Sequence, residues 1–187
     1  MHSKAPIFFS ISYSTKERKK AYVVTSAEAN KKLKQLREEE HTLLTNAKKS
    51  ATFSAAAGED VESLRPEFDY EKFINNWTRI ETEIRTLKHK INEFNIKTKV
   101  PGFDMTIDQM LVYIPYLTSI KLETSEMMSR LPKERKDSRY NSSPIIDYII
   151  TNYPIEKAKE TFDWATEELS KAQLALDTVN TTERFEI

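Results

Sequence analysis

The chain has 187 residues, with 29 basic and 29 acidic side chains, two glycines and no cysteine. This length predicts a single domain whose core needs neither disulfides nor metal ions. The absence of cysteine excludes thiolate metal sites and cysteine nucleophiles. Glycine averages about 7% of protein sequences, and sheets use it in their turns. Two glycines therefore argue against a large β architecture and favour long helices.

Charge is unevenly distributed along the chain although it balances overall. Residues 1–50 carry 11 basic and 5 acidic side chains, whereas residues 151–187 carry 4 basic and 8 acidic ones. These two parts are expected to attract each other within one bundle or between copies of it. No apolar run approaches roughly 18 residues, the minimum for a membrane-spanning helix, and no secretory signal is recognised. These features predict a cytoplasmic protein.

Residues 1–24 are interpreted as an N-terminal arm. An apolar side chain recurs at every second position of Ile7–Tyr13, which predicts a short strand. Lys16–Lys20 then contains four basic residues, but such runs usually lie on a solvated surface, so nucleic-acid binding is disfavoured. The arm is either a lineage-specific extension or the product of a start site assigned upstream of Val24. The intact mass of the protein from its native host would distinguish these two hypotheses.

Two long helices are predicted in the first half of the remaining domain, residues 25–187. Thr25 and Glu28 have the spacing of a capping box, and this first helix is expected to end near Ala57, before Gly58. Asp69 is expected to cap the second helix. The apolar stripe of the second helix repeats at spacings of three and four, and it consists of Tyr70, Phe73, Trp77, Ile80, Ile84, Leu87, Ile91 and Phe94. This stripe predicts an antiparallel, coiled-coil-like hairpin.

Two further helices are predicted after the turn at Val100–Gly102. Thr106 and Gln109 have the spacing of a second capping box, and Pro115 is expected to kink the third helix. Pro144–Tyr153 is rich in β-branched and aromatic residues, which predicts a strand that pairs with the N-terminal strand or across a dimer. The last helix begins near Pro154, and its apolar stripe is Ile155, Ala158, Phe162, Ala165, Leu169, Ala172, Leu176 and Val179.

The expected fold is therefore all-α, with two long antiparallel helical hairpins in an elongated four-helix bundle and short strand-like accessory segments. Aromatic and heptad surface that the bundle leaves exposed would be buried by self-association. We therefore expect a homo-oligomer, while the sequence does not identify any other protein partner.

Four blocks of sequence carry a resemblance to known proteins: Thr25–Lys31, Leu87–Asn92, Pro101–Asp108 and Ala175–Asn180. Through these blocks the chain resembles a group of uncharacterised bacterial helical proteins and, more remotely, the septicolysin-like family. The resemblance implies a mostly helical, oligomeric, intracellular protein without an assigned activity, and it transfers no catalytic residue. Pro154 departs from the pattern, because an aspartate cap is expected there.

The ionisable residues do not have the spacing of familiar catalytic sites. Glu38 and His41 form one Glu-x-x-His element, but a di-iron site needs two of them. There is no Gly-x-Ser-x-Gly elbow, and two glycines cannot form a phosphate-binding loop. We therefore expect no enzymatic activity, no cofactor and no metal site.

One polar cluster follows from the up-and-down helix topology, which brings several helix ends together around Pro101–Phe103. Its members carry carboxylate, amide or hydroxyl groups: Asn92, Asn95, Asp104, Asp108, Asp177, Asn180 and Thr182. Thr25 and Ser26 are expected at the same end. These residues act either as helix caps and turn residues or as a small polar or cation-binding site.

The predicted function is a non-catalytic structural or protein-interaction bundle that self-associates. The first alternative is a membrane-acting, toxin-like protein, suggested by the septicolysin-like resemblance and the aromatic segments Ile7–Tyr13 and Ile145–Tyr153. The second, less favoured alternative is a ligand-binding protein or an enzyme that uses the polar cluster.

Overall fold

The computed structural model describes residues 22–136 and 146–187. The predicted strand at Ile7–Tyr13 and the basic run Lys16–Lys20 lie outside these residues. The described chain is mostly helical with a few short strands, in agreement with the predicted class. Its elements are β1 (Val23–Thr25), α1 (Ser26–Ser50), α2 (Val61–Leu64), α3 (Tyr70–Lys97), α4 (Ile107–Met128), β2 (Lys133–Arg135), β3 (Tyr148–Ile150), α5 (Ile155–Thr182) and β4 (Arg184–Glu186).

Helix α1 begins as predicted but ends earlier than predicted. The Thr25 hydroxyl accepts a bond from the Glu28 N–H, and the Glu28 carboxylate accepts one from the Thr25 N–H, which confirms the capping box. The helix ends at Ser50 instead of Ala57, and residues 51–60 are exposed and irregular. Alanines at 55–57 have high helix propensity, but without packing a helix end gains little stability. Gly58, with a φ of +94°, lies in this irregular segment and does not end the helix.

Helix α3 packs against α1, and the predicted stripe is buried over only part of its length. Asp69 caps the helix through the Lys72 N–H, as expected. Five stripe residues lie in the core: Ile80, Ile84, Leu87, Ile91 and Phe94. The first stripe residue, Tyr70, is 64% exposed. The stripe is thus buried from Ile80 to Phe94 and exposed or partly buried before Ile80.

Helices α4 and α5 pack against each other along most of their length. The Thr106–Gln109 capping box is confirmed, and α4 continues as one helix through Pro115. Met110 and Leu117 of α4 are fully buried, as are Ala165 and Ala172 of α5. Small side chains on α5 allow the large side chains of α4 to fill the space between the two helices. Helix α3 also makes a smaller contact with α4, and α1 makes a smaller contact with α5.

Two short antiparallel ribbons complete the described chain. β1 pairs with β4, which brings Val24 opposite Phe185, and β2 pairs with β3, which brings Glu134 opposite Ile149. The predicted strand in Pro144–Tyr153 is present as β3, and its partner is β2 within the same chain. Tyr22 and Val23, which were assigned to the N-terminal arm, lie next to the C-terminus in this arrangement.

Candidate functional site

The turn between α3 and α4 is stabilised by its own hydrogen bonds. The Val100 N–H donates to the Met105 carbonyl at 2.9 Å, and the Ile107 N–H donates to the Thr98 carbonyl at 2.9 Å. Gly102 has a φ of +83°, a left-handed conformation that favours glycine. These backbone bonds and the conformation of Gly102 define the shape of the turn.

Asp104, a predicted site residue, lies in this turn and is paired within it. Lys99 Nζ lies 2.6 Å from Asp104 Oδ1. The hydrogen bond from Lys99, together with its positive charge, lowers the pKa of the Asp104 carboxyl from its ordinary value. Both side chains are exposed, so the pair contributes little to stability. Asp104 is thus an exposed carboxylate that is paired with a lysine of its own turn.

Four other predicted site residues lie at the adjacent helix ends. Asp108 is exposed in the first turn of α4, where a negative charge is favourable near the positive end of the helix dipole. Asp177 is exposed, and its backbone carbonyl accepts a bond from the Thr181 hydroxyl at 2.8 Å. The Thr182 hydroxyl donates to the Thr178 carbonyl at 2.8 Å. Asn180 is partly buried in the last turn of α5.

The two predicted asparagines of α3 have different surroundings. Asn92 is exposed and lines a surface groove between α1 and α3, together with Arg37 and His89, away from the turn. Asn95 is partly buried, and its Oδ1 atom has no hydrogen-bond partner among the described residues. Thr25 and Ser26 are buried at the start of α1, where Thr25 acts as its cap.

The structure thus shows capping, turn and intrahelical roles for several members of the predicted cluster. In the chain as described, no three His, Cys, Asp or Glu side chains are grouped closely enough to hold a metal ion. As a binding site, the set Asn92, Asn95, Asp104, Asp108, Asp177, Asn180 and Thr182 stays a prediction.

A shallow groove that was not predicted lies beside the same turn. It has a volume of about 590 Å³ and is lined by Pro101, Gly102, Phe103, Glu168, Lys171, Leu174, Ala175 and Thr178. Lys171 is paired with Glu167 at 2.7 Å, and the Tyr113 hydroxyl donates to Glu168 at 3.4 Å. Burial, assisted by the charge of Glu168, raises the pKa of Tyr113. The groove is formed by two segments, 101–103 and 168–178, that are more than 60 positions apart in the sequence, so no local motif indicates it.

The capping box of α1 leads to a prediction about pH. The hydrogen bond from the Thr25 backbone, with smaller contributions from its hydroxyl and from Arg184, holds the Glu28 pKa below its ordinary value of 4.5. The stabilisation is therefore present above about pH 4.5 and is lost as the pH falls through the lower, folded-state pKa. Glu28→Gln keeps a hydrogen-bonding side chain but cannot titrate.

We expect Glu28→Gln to weaken the dependence of the urea midpoint on pH between about pH 5 and pH 3 relative to the unsubstituted chain. Glu38→Gln is the matched control, because Glu38 is exposed in the middle of the same helix. Identical pH dependence in all three proteins would contradict the prediction.

No family model matches the chain, and no curated protein sequence matches it. These results give no support to the septicolysin-like resemblance. In the described part of the chain, every helix is too short or too polar to cross a membrane. The chain is similar in fold to the crystal structure of a functionally unknown conserved protein from Corynebacterium diphtheriae, with a TM-score of 0.58, 17% sequence identity, and coverage of 88% of this chain and 99% of that one.

Proposed function

We propose that this chain is a non-catalytic interaction protein that self-associates through the outer face of helix α4. The observation that carries the proposal is an uncharged, exposed surface on a helix that packs against the core with its opposite side. The proposal includes the finer architecture expected from the sequence, in which the pairs α1/α3 and α4/α5 form one elongated four-helix bundle in the cytoplasm.

The outer face of α4 is defined by its exposed residues between Leu111 and Ser119. These residues are Leu111, Val112, Pro115, Tyr116, Thr118 and Ser119. None is charged, whereas a helix on a protein surface normally carries charged residues on its solvent side. Val112 is 72% exposed and Tyr116 is 56% exposed. The face therefore leaves apolar surface in water that association would remove.

A second copy of the chain is the occupant that this surface fits. A two-fold interface uses the same face on both subunits, so an apolar face meets an apolar face and no charge is buried. A stable interface needs about 800 Å² from each partner, which is more than one face of three helical turns supplies. The outer face of α4 is therefore proposed as the centre of the interface, with neighbouring elements supplying the rest of the area.

The proposal predicts the mass of the protein in solution. Light scattering at micromolar concentrations should give twice the chain mass of 21.8 kDa. Val112→Lys places a charge in the proposed interface and should raise the dissociation constant by about tenfold or more, because that charge would be buried without a partner. Val61→Lys is the matched control, since Val61 is also an exposed valine but lies in α2.

The expected result is a dimer for the unsubstituted chain and for Val61→Lys, and a mass shifted towards the monomer for Val112→Lys at the same concentration. A monomeric mass for the unsubstituted chain would contradict self-association. A dimer that Val112→Lys does not weaken would place the interface elsewhere. Circular dichroism of each variant establishes that helix content is unchanged.

A further inference from the structure

The described chain contains two separate hydrophobic cores. One core lies between α1 and α3 and includes Ala29, Leu36 and Ile80. The other lies around α4 and α5 and includes Met110 and Leu117. Helix α3 reaches both, since Ile91 belongs to the first core and Phe94 to the second. The two helix pairs therefore have largely separate apolar interiors, with Phe94 of α3 contributing to the core of the second pair.

Phe185 is the hydrophobic residue of the described chain that packs against both cores without belonging to either. Its ring stacks on Phe94 with centroids 4.5 Å apart and an interplanar angle of 20°. Ile187, two residues further on, packs against the α1/α3 core alone. An aromatic ring with two such surfaces removes apolar area from water in both cores at once.

Strand β4 holds Phe185 in this position. Phe185 pairs with Val24, which is itself buried in the α1/α3 core. The Ile187 N–H donates to the Tyr22 carbonyl at 3.1 Å, and the Tyr22 N–H donates to the Ile187 carbonyl at 3.4 Å. β4 follows α5 after a single residue, Glu183, so the strand is a direct continuation of the α4/α5 pair.

We infer that Arg184–Ile187 is a latch that couples the α1/α3 pair to the α4/α5 pair. With the latch closed, the two pairs unfold together. With the latch released, each pair keeps its own core, and the α1/α3 pair opens at a lower denaturant concentration than the α4/α5 pair. The latch is a conformational device of the single chain and is independent of the proposed self-association.

The two tryptophans allow each helix pair to be observed separately. Trp77 lies on α3, where its Nε1–H donates to Glu40 of α1 at 2.9 Å, and Trp164 lies on α5. Trp164→Phe therefore leaves a reporter for the first pair, and Trp77→Phe leaves one for the second. In the otherwise unchanged chain, the two reporters should give the same urea midpoint.

Phe185→Ala tests the latch in both reporter backgrounds. The two midpoints should separate by about 0.5 M urea or more, given the usual slopes for helical units of this size. Phe185→Leu retains an apolar side chain and should keep the midpoints closer together than Phe185→Ala does. Equal shifts of both midpoints in Phe185→Ala would overturn the latch, because Phe185 would then stabilise the chain without coupling the pairs. Midpoints that already differ in the reporter chains with Phe185 would also overturn it.

A reversible crosslink gives a second test that does not depend on the size of the residue at 185. Val23 and Glu186 are opposite each other and exposed, and they are next to the hydrogen-bonded pair Tyr22/Ile187, so they form a non-hydrogen-bonded pair. Residues at such positions have Cα atoms about 4.5 Å apart, within the range for a disulfide. The chain has no other cysteine. In the Phe185→Ala background, oxidised Val23→Cys/Glu186→Cys should bring the midpoints together, and reduction should separate them again. Midpoints that do not respond to oxidation would overturn the latch.

Discussion

Leu117→Ala is expected to lower the free energy of unfolding by about 2–5 kcal/mol, the usual cost of removing a large side chain from a packed core. Leu117 is fully buried between α4 and α5. The substitution removes apolar contacts and leaves a cavity, which neighbouring side chains fill only in part. Urea unfolding followed by Trp164 fluorescence measures the change.

Leu174→Ala is the matched control for this substitution. Leu174 lies on α5 and is 70% exposed, so the same chemical change should alter stability by less than about 0.5 kcal/mol. Similar effects of the two substitutions would show that α4 does not pack through Leu117.

Ile80→Ala is expected to lower the free energy of unfolding by a comparable amount, about 2–5 kcal/mol, through the other core. Ile80 lies on α3, is only 1% exposed, and belongs to the core shared with α1. Ile96→Ala is the control on the same helix, because Ile96 is 61% exposed. Urea unfolding followed by Trp77 fluorescence measures both variants, and equal stability of the two would contradict the assignment of the core.

These two substitutions also bear on the coupling of the helix pairs. If the latch joins the pairs, Leu117→Ala should lower the Trp77 midpoint as well as the Trp164 midpoint, although Trp77 is on the other pair. A substitution in one core that lowers the urea midpoints of both helix pairs is expected when the two pairs unfold as one cooperative unit. The proposed latch and the proposed α4 interface therefore have separate tests, one within a chain and one between chains.

The surroundings of two acidic residues of α1, Glu39 and Glu40, became clear only from the structure. Glu40 lies four positions after Leu36 and three before Leu43, so it falls on the apolar stripe of α1 that faces α3, although its carboxylate favours exposure to water. In the structure it is partly buried and accepts the Trp77 Nε1–H, and Glu39 pairs with Arg79 at 2.5 Å. Both partners are on α3, about 40 residues away. The hydrogen bond to Glu40 satisfies the indole N–H of Trp77 at the edge of the helix interface.

The polar cluster shows the limit of topology as a guide to a site. Helix topology correctly indicates that the α3–α4 turn and the end of α5 are neighbours, since Phe103 and Thr178 line one groove. It does not indicate the direction of each side chain. Asn92 lies on the α1 side of α3, and Asp104 is held by Lys99 within its own turn. The direction in which a side chain points from its helix depends on tertiary packing, and so does ion pairing within a loop. A spacing pattern describes neither of them.

Features that depend on residues a few positions apart can be predicted from the sequence alone. The caps at Thr25, Asp69 and Thr106, the two long apolar stripes and the scarcity of turns follow from short-range hydrogen bonding and helical periodicity. The tertiary structure alone decided where α1 ends, which part of the α3 stripe is buried and which strand pairs with which. It also placed Phe185 against both cores, 91 positions after Phe94. Contacts at such separation depend on how the helices pack, and no local pattern of residues carries that information.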